Sequence, residues 1–262
     1  MTRSTDLAVE TARGRLPVYF SRPEGEGPWP GVVVVHDILG MTHDLRRQAD
    51  WLAGAGYLAA APDLYSGERR STCLIRMFRD ARARRGRTFE DIDAVRTTLM
   101  SRPDCTGRIG VIGFCMGGGF ALLLAADHRF DAASVNYGTA SSDVYTEGTF
   151  ERACPIVGSY GAQDRANRGT GDRLERILTA VGVDHDIRTY PEAGHAFLND
   201  HDPADVPRLF AVLGRFAGGD DTFHEPSARD ARERILAFFA RHLRTSGDNG
   251  DASAGAESGS AS

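Results

Sequence analysis

One cysteine lies in a glycine-rich turn of the kind that presents a catalytic nucleophile. The stretch Gly113-Phe114-Cys115-Met116-Gly117 follows a predicted strand and opens a predicted helix. It matches the pattern G-x-S-x-G, with cysteine in the place of serine, in which side chains at the glycines would collide with neighbouring backbone. The turn also places Cys115 at a helix N-terminus, where the helix dipole favours the thiolate. The pattern predicts a nucleophile, and the competing interpretation is a buried structural cysteine.

A nucleophile of this kind needs a base and a second residue that orients the base. Proteins with this turn carry them in the chain order nucleophile, acid, histidine. Asp164 follows the predicted strand 155–160, and His195 follows the predicted strand 187–190. Both should lie at the carboxyl ends of parallel strands, at the edge of the sheet where Cys115 is expected. Either residue alone is ordinary in a loop, but together they predict a catalytic triad.

Short apolar runs alternate along the chain with amphipathic stretches, which is typical of a mostly parallel central sheet with helices on both faces. The run Val32–Val35 is too apolar for a half-exposed strand and is predicted to be central and buried. Residues 66–87 break the alternation and are predicted to be an irregular segment, either a cap or an excursion over a cleft. The predicted strands are 16–20, 32–35, 57–61, 109–112, 132–136, 155–160 and 187–190, and the predicted helices are 42–55, 89–100, 117–126, 173–181 and 228–243.

The chain of 262 residues suits one α/β domain, which we place at residues 1–244. Residues 245–262 contain mainly glycine, serine, alanine and acids, and this tail is predicted to be disordered. No run has the length and composition of a membrane span or a signal peptide, and the four cysteines show no CxxC pair. We therefore expect a cytoplasmic protein with free thiols, present as a monomer or a small homo-oligomer.

An arginine cluster and the overall charge bear on the partners of the protein. Eight arginines lie between Arg69 and Arg87, but the net charge of the chain is −5. Phe78 is the single aromatic residue of the cluster, and no nucleic-acid recognition motif accompanies it. We therefore expect no nucleic-acid partner and no membrane partner. One or two of the arginines are candidates to contact an anionic substrate, and the others are expected to form a solvated face.

Histidine and aspartate lie side by side at two places in the chain. His36-Asp37 falls in the loop after the buried valine strand, and His43-Asp44 begins a predicted helix. Neither pair has a third ligand at a useful spacing. We therefore expect no metal site, and the sequence suggests no cofactor.

The order of these motifs resembles that of the dienelactone hydrolase family, which belongs to the α/β-hydrolases. The resemblance extends over about residues 7–243, and it implies an α/β-hydrolase fold and the hydrolysis of small carboxyl esters or lactones. The motifs that carry it are Pro30–Gly40, Gly56–Tyr65, Gly113–Gly119, Asp164 and Gly194-His195-Ala196-Phe197.

The resemblance also implies a role for each of five residues. Cys115 would attack the substrate carbonyl and form a thioester. His195, oriented by Asp164, would move the proton and then activate the water that releases the acid. The backbone N–H groups of Met116 and Ile38 would form the oxyanion hole.

Two positions depart from the pattern of the family. The family commonly has a glutamate that contacts the resting thiol, and this chain has the shorter Asp37 in its place, for which the resemblance implies the same contact. The dienelactone enzymes have an arginine shortly after the catalytic histidine, which helps to bind the substrate carboxylate. Here Leu198-Asn199-Asp200 follow instead, and the next arginine is Arg208. The expected substrate is a small ester or lactone, anionic or neutral, of which a dienelactone is one example.

Two other functions are compatible with the same residues. The fold also occurs in proteins that bind ligands without catalysis. The same triad can transfer an acyl group to an acceptor other than water, or close a ring, in a tailoring reaction. Analysis of the products formed with water and with amine or alcohol acceptors would separate these functions.

Overall fold

The computed structural model describes residues 2–67, 69–206 and 223–244. Its strands form one eight-stranded sheet. In chain order they are β1 (Thr2–Thr11), β2 (Gly14–Pro23), β3 (Trp29–Val35), β4 (Leu58–Pro62), β5 (Cys105–Phe114), β6 (Ala132–Asn136), β7 (Ile156–Gly161) and β8 (His185–Tyr190).

The strands lie side by side in the order β1-β2-β4-β3-β5-β6-β7-β8. Strand β2 pairs antiparallel with both β1 and β4. All neighbours from β4 to β8 pair in parallel. The mostly parallel sheet predicted from the sequence is therefore confirmed, and the antiparallel part is confined to one edge.

Seven α-helices among the described residues cover the two faces of the sheet. Thr42 caps the first helix, since its side-chain oxygen accepts a hydrogen bond from the Leu45 N–H at 3.2 Å. The helices are α1 (His43–Gly54), α2 (Arg70–Ala83), α3 (Arg87–Met100), α4 (Met116–Ala126), α5 (Glu147–Phe150), α6 (Thr170–Val181) and α7 (Glu225–Leu243).

The valine run of β3 packs into both halves of the core. Val33 and Val35 belong to the cluster on one face of the sheet, and Val32 and Val34 belong to the cluster on the other. All four side chains are fully buried. A strand covered on both faces needs apolar residues at every position, which explains the uninterrupted run.

The prediction of an irregular segment at residues 66–87 was wrong, because most of it forms helix α2. Its buried residues are Cys73, Arg76, Met77 and Asp80, which have helical spacing. Two of these four are charged, so the apolar periodicity that identifies an amphipathic helix is missing from the sequence.

Strand β1 was not predicted from the sequence. Its residues are mostly exposed, so the strand carries little apolar signal. The predicted disordered tail, 245–262, lies outside the described residues. No helix in the described parts of the chain is long and apolar enough to cross a membrane.

Candidate active site

Cys115 lies in the turn between β5 and α4 with a strained backbone. Its φ of 53° and ψ of −116° lie in a region that L-residues with side chains rarely adopt. Main-chain hydrogen bonds hold it there, from the Cys115 N–H to Asn136 O at 3.0 Å and from the Gly119 N–H to Cys115 O at 3.1 Å. A side chain at Gly113 would collide with the Gly117 carbonyl, and one at Gly117 would collide with the Val35 carbonyl. The glycines let three backbone segments meet behind the nucleophile.

The structure brings Asp164 and His195 together beside Cys115. Asp164 follows β7 and His195 follows β8, as the sequence predicted. Asp164 Oδ2 lies 2.7 Å from His195 Nδ1. The side chain of Cys115 lies close enough to His195 to raise the pKa of its ring. The three residues predicted as a triad thus lie next to one another.

The charges of Asp164 and His195 stabilise each other. Burial alone would lower the pKa of His195, but its hydrogen bond to the Asp164 carboxylate and the neighbouring Cys115 side chain raise that pKa to about 11. Burial alone would raise the pKa of Asp164, but the bond to His195, its charge and the bonds from Asn167 lower it. The geometry therefore favours an ionised Asp164 beside a protonated His195.

The peptide that carries the Ile38 N–H is held by its neighbours. The Asp37 carbonyl lies 2.6 Å from His36 Nδ1 and 3.3 Å from the Gly40 N–H. Because the C=O and N–H of a trans peptide point in opposite directions, fixing this carbonyl also fixes the Ile38 N–H. The Tyr65 hydroxyl donates to the Ile38 carbonyl at 2.9 Å, which fixes the following peptide as well. The loop is therefore rigid where an oxyanion would bind.

Met116 provides the second predicted N–H group. It is the first residue of α4, and N–H groups in the first turn of a helix have no acceptor within the helix. The first turn of α4 packs directly against the end of β3, because Gly117 abuts the carbonyls of Val35 and His36. The fold thus places Met116 beside the loop that carries Ile38.

His36 supports this loop as a neutral ring. It is fully buried, and burial lowers its pKa. Its Nδ1 therefore donates to the Asp37 carbonyl, while Nε2 has no hydrogen-bond partner among the described residues. The ring also packs against Tyr65 at a centroid distance of 4.8 Å.

Both carboxylate oxygens of Asp37 have partners other than the thiol. Oδ1 accepts a hydrogen bond from the Leu39 N–H at 2.6 Å, which closes an Asx turn. Oδ2 lies 3.1 Å from Nε2 of His201, a mostly buried residue in the loop that follows His195. The thiol contact predicted for Asp37 stays a prediction, and the observed geometry gives Asp37 a role in shaping the loop.

The arginine cluster serves mainly structural contacts. Arg70 begins α2 and donates to the Leu39 carbonyl at 2.6 Å, so it braces the loop that contains Ile38. Arg76 is buried and donates to the Leu64 carbonyl at 2.8 Å. Arg70 is exposed, and its guanidinium lies beside Gly40 in the same loop. Three other arginines pair with acids, namely Arg79 with Asp80, Arg84 with Asp143 and Arg87 with Asp91.

Three residues that contact the site were not predicted from the sequence. Asn167 donates to Asp164 Oδ2 at 2.6 Å, and Tyr137 lies edge-on to the His195 ring at a centroid distance of 5.2 Å. The third is His201, already described. For Asn167 a weak signal existed, because an aspartate often bonds the backbone two residues further on, and that turn brings the next residues back towards its carboxylate. No pattern in the sequence marks Tyr137 or His201.

No three histidine, cysteine, aspartate or glutamate side chains within the described ranges are grouped as ligands of a metal ion.

The sheet is mostly parallel, the strained turn at Cys115 follows β5, an acid follows β7 and a histidine follows β8. This arrangement defines the protein as an α/β-hydrolase. Residues 16–243 match the model of the dienelactone hydrolase family. The chain belongs to that family and is a hydrolase.

Named relatives and a solved structure agree with this assignment. The carboxymethylenebutenolidase of Rhodococcus opacus is 28% identical over 242 residues, which cover 88% of this chain and 88% of that protein. The carboxymethylenebutenolidase of Pseudomonas putida is 27% identical over 183 residues, which cover 66% of this chain and 76% of that protein. A dienelactone hydrolase-like promiscuous phosphotriesterase from metagenomic libraries has a TM-score of 0.74 at 21% identity, over 93% of this chain and 99% of that one. At that identity the likeness establishes the fold alone.

Proposed function

We propose that this protein hydrolyses small carboxyl esters or lactones, with Cys115 as the nucleophile and with His195 and Asp164 as the base and its orienting acid. One observation carries the proposal. A strained turn presents Cys115 to His195, whose Nδ1 lies 2.7 Å from the Asp164 carboxylate. This arrangement has the nucleophile, the base and the orienting group that acyl transfer requires.

The first half of the reaction forms a thioester. The thiolate of Cys115 adds to the carbonyl carbon, and the N–H groups of Ile38 and Met116 stabilise the negative charge that develops on the carbonyl oxygen. When the intermediate collapses, the C–O bond to the leaving group breaks. The imidazolium of His195 gives its proton to the departing alkoxide. The alcohol leaves from an ester, and with a lactone it stays attached to the acyl group.

The second half returns the free enzyme. His195, now neutral, takes a proton from water as the water oxygen adds to the thioester carbonyl. The same two N–H groups stabilise the second oxyanion. The C–S bond then breaks, the thiolate of Cys115 and the imidazolium of His195 are restored, and the carboxylic acid is released. Asp164 holds the ring orientation throughout and stabilises its positive charge.

Arg70 is the residue that we assign to an anionic group on the substrate. It is an exposed cation next to the loop that contains Ile38, where it donates to the Leu39 carbonyl. The Arg70→Gln variant should raise KM for an ester that carries a carboxylate more than for a neutral ester of the same size. The neutral ester controls for any disturbance of the loop. An equal change for both esters would remove Arg70 from substrate binding.

The nucleophile is tested by mass spectrometry and steady-state kinetics together. A slowly deacylated activated ester should add one acyl group to the wild type, at Cys115, and iodoacetamide should block that adduct. Cys115→Ala should abolish both the adduct and hydrolysis. Cys105→Ser is the matched control, because Cys105 is also partly exposed but burial raises the pKa of its thiol. That control should react and turn over like the wild type.

Several outcomes would contradict the proposal. Near-normal hydrolysis by Cys115→Ala would exclude the thiol as nucleophile. Preferential formation of amide or ester products with added amine or alcohol would indicate acyl transfer. Inhibition by a chelator that a divalent ion reverses would indicate a metal-dependent mechanism.

A further inference from the structure

Asn167 lies behind the Asp164–His195 pair, in the loop between β7 and α6. Its residue is buried, with 3% of its surface exposed. Its side-chain Nδ2 donates to Asp164 Oδ2 at 2.6 Å and to the Tyr137 carbonyl at 2.9 Å. One amide group therefore links the carboxylate that orients His195 to the end of strand β6.

The orientation of this amide follows from its neighbours. Nδ2 faces a carboxylate oxygen and a carbonyl oxygen, both of which can only accept in this arrangement. If the amide were turned over, Oδ1 would face those two oxygens and repel them. Oδ1 is buried and has no hydrogen-bond partner in the described part of the chain. The fold thus uses the donor end of Asn167 and leaves its acceptor end unsatisfied.

The Asp164 carboxylate receives four hydrogen bonds, and Asn167 supplies two of them. Oδ1 accepts from the N–H groups of Ala166 at 3.0 Å and Asn167 at 3.3 Å. Oδ2 accepts from Asn167 Nδ2 at 2.6 Å and from His195 Nδ1 at 2.7 Å. Without the Asn167 side-chain amide, Oδ2 would keep His195 as its one donor, and only the two main-chain donors to Oδ1 would oppose a rotation of the carboxylate towards another orientation of His195.

The second contact of Asn167 reaches the wall of the His195 site. Tyr137 has a φ of 40°, an unfavourable backbone conformation for a residue with a side chain. Its carbonyl is held by Asn167 and its N–H donates to Ser159 O at 2.7 Å. The ring of Tyr137 lies edge-on to that of His195. Asn167 therefore fixes both the acid behind His195 and the aromatic ring beside it.

We propose that Asn167 is a positioning residue for catalysis, which through its side-chain N–H groups holds the Asp164 carboxylate and the Tyr137 main chain so that His195 stays directed at Cys115. This proposal rests on the proposed function. It adds a fourth residue to the three of the proposed triad. Catalysis requires the N–H donors of this residue and not its volume.

The isosteric variant Asn167→Asp gives a sharp test, because it keeps the shape and replaces the donor by a titratable group. At low pH the two carboxyl groups would share one proton, which replaces the lost N–H donor to Asp164. Burial and like charge raise the pKa for loss of that proton, and once it is lost the two carboxylates repel each other. The titratable groups that face His195 here are Asp164, Cys115 and the buried phenol of Tyr137.

The expected kinetics follow from this exchange of a donor for a shared proton. Asn167→Asp should lose kcat as the pH rises through the ionisation of the new pair, a transition that the wild type lacks. Asn167→Ala should have a kcat roughly 10- to 100-fold lower at every pH, the effect of losing one charge-assisted hydrogen bond. KM should change less than twofold or so in both variants, because Asn167 does not reach the substrate.

A second buried asparagine provides a matched control. Asn199 is 4% exposed, and its Nδ2 donates to the buried carboxylate of Asp44 at 2.6 Å, the same kind of contact that Asn167 makes. Asn199→Asp creates an equivalent pair of carboxyl groups away from Asp164. It also keeps a side-chain oxygen that can accept the hydrogen bond which the Tyr137 hydroxyl donates to Asn199 Oδ1, so the ring beside His195 stays held. It should lower the unfolding temperature to a similar degree, without a new ionisation in kcat over the pH range in which the protein stays folded.

The experiment measures kcat and KM against pH for the wild type and the three variants, with circular dichroism at each pH. A wild-type kcat for Asn167→Ala, or identical pH profiles for Asn167→Asp and Asn199→Asp, would overturn the positioning role. Should Asn167→Ala fail to fold, the comparison of the two aspartate variants still decides. Failure of the proposed function would look different, because the wild type itself would then show no hydrolysis that depends on Cys115.

Discussion

Nε2 of His201 lies 3.1 Å from Oδ2 of Asp37, and this pair joins the loop after His195 to the loop that contains Ile38, whose N–H we propose for the oxyanion hole. The side chains are 16% and 9% exposed, so water screens the pair little. Two loops of the proposed site are therefore connected by a partly buried ion pair.

The pair predicts a pH dependence of stability. Burial alone would lower the pKa of His201, but the bond to Asp37 and nearby acids raise it above the ordinary value of 6.5. A raised folded-state pKa contributes stability that is complete below 6.5 and is lost as the pH rises through the raised value. His201→Gln should lower the free energy of unfolding by about 1–2 kcal/mol at low pH and by less at high pH. Urea denaturation of both proteins at several pH values measures this, and a constant difference would contradict it.

Asp37→Asn tests whether Asp37 acts on the thiol. We expect the pH profile of Cys115 alkylation to stay unchanged, because an amide oxygen can accept from the Leu39 N–H as the carboxylate does. Stability should fall, because the charge facing His201 is lost. A displaced alkylation profile would support the thiol contact that the sequence resemblance implies, since only the thiolate reacts.

Asp164→Asn should fold and lose about 10²–10⁴ in kcat, because the amide no longer stabilises the imidazolium or selects the productive ring orientation. The reason is visible in the 2.7 Å contact with His195. Asp143→Asn is a suitable control, because Asp143 is exposed and pairs with Arg84. A fall of less than about tenfold for Asp164→Asn would remove Asp164 from the orienting role.

Asp80 is expected to stabilise the junction between α2 and α3. It is buried, and its Oδ2 accepts from the Thr88 N–H at 3.0 Å and from the Thr88 hydroxyl at 2.9 Å. Asp80→Ala should lower the free energy of unfolding by about 1–3 kcal/mol, because it leaves buried donors without an acceptor. Asp93→Ala, which removes a half-exposed carboxylate from α3, should cost clearly less in the same thermal or urea melts.

The sequence predicted the site best for residues that directly follow a strand of the parallel sheet. Cys115, Asp164 and His195 each follow a strand, so the parallel sheet alone predicts that they meet. Tyr137 and His201 depend on contacts with residues that lie far apart from them in the chain, and such contacts leave no periodic signal. Helix α2 was missed for a different reason, because Arg76 and Asp80 occupy its buried face.

The glycines of the nucleophile turn have a consequence for how the site can change by mutation. Gly113, Gly117 and Gly118 lie where a Cβ atom would meet main-chain atoms, so a shift of any neighbouring side chain gives no relief. Cys115, in contrast, is held through its own main-chain atoms. We therefore expect that Cys115, the proposed nucleophile, can be exchanged for a residue of similar size, such as serine, without a rearrangement of the main chain, although the reaction rate would change. In this turn the three glycines do not tolerate substitution, whereas the side chain at position 115 does.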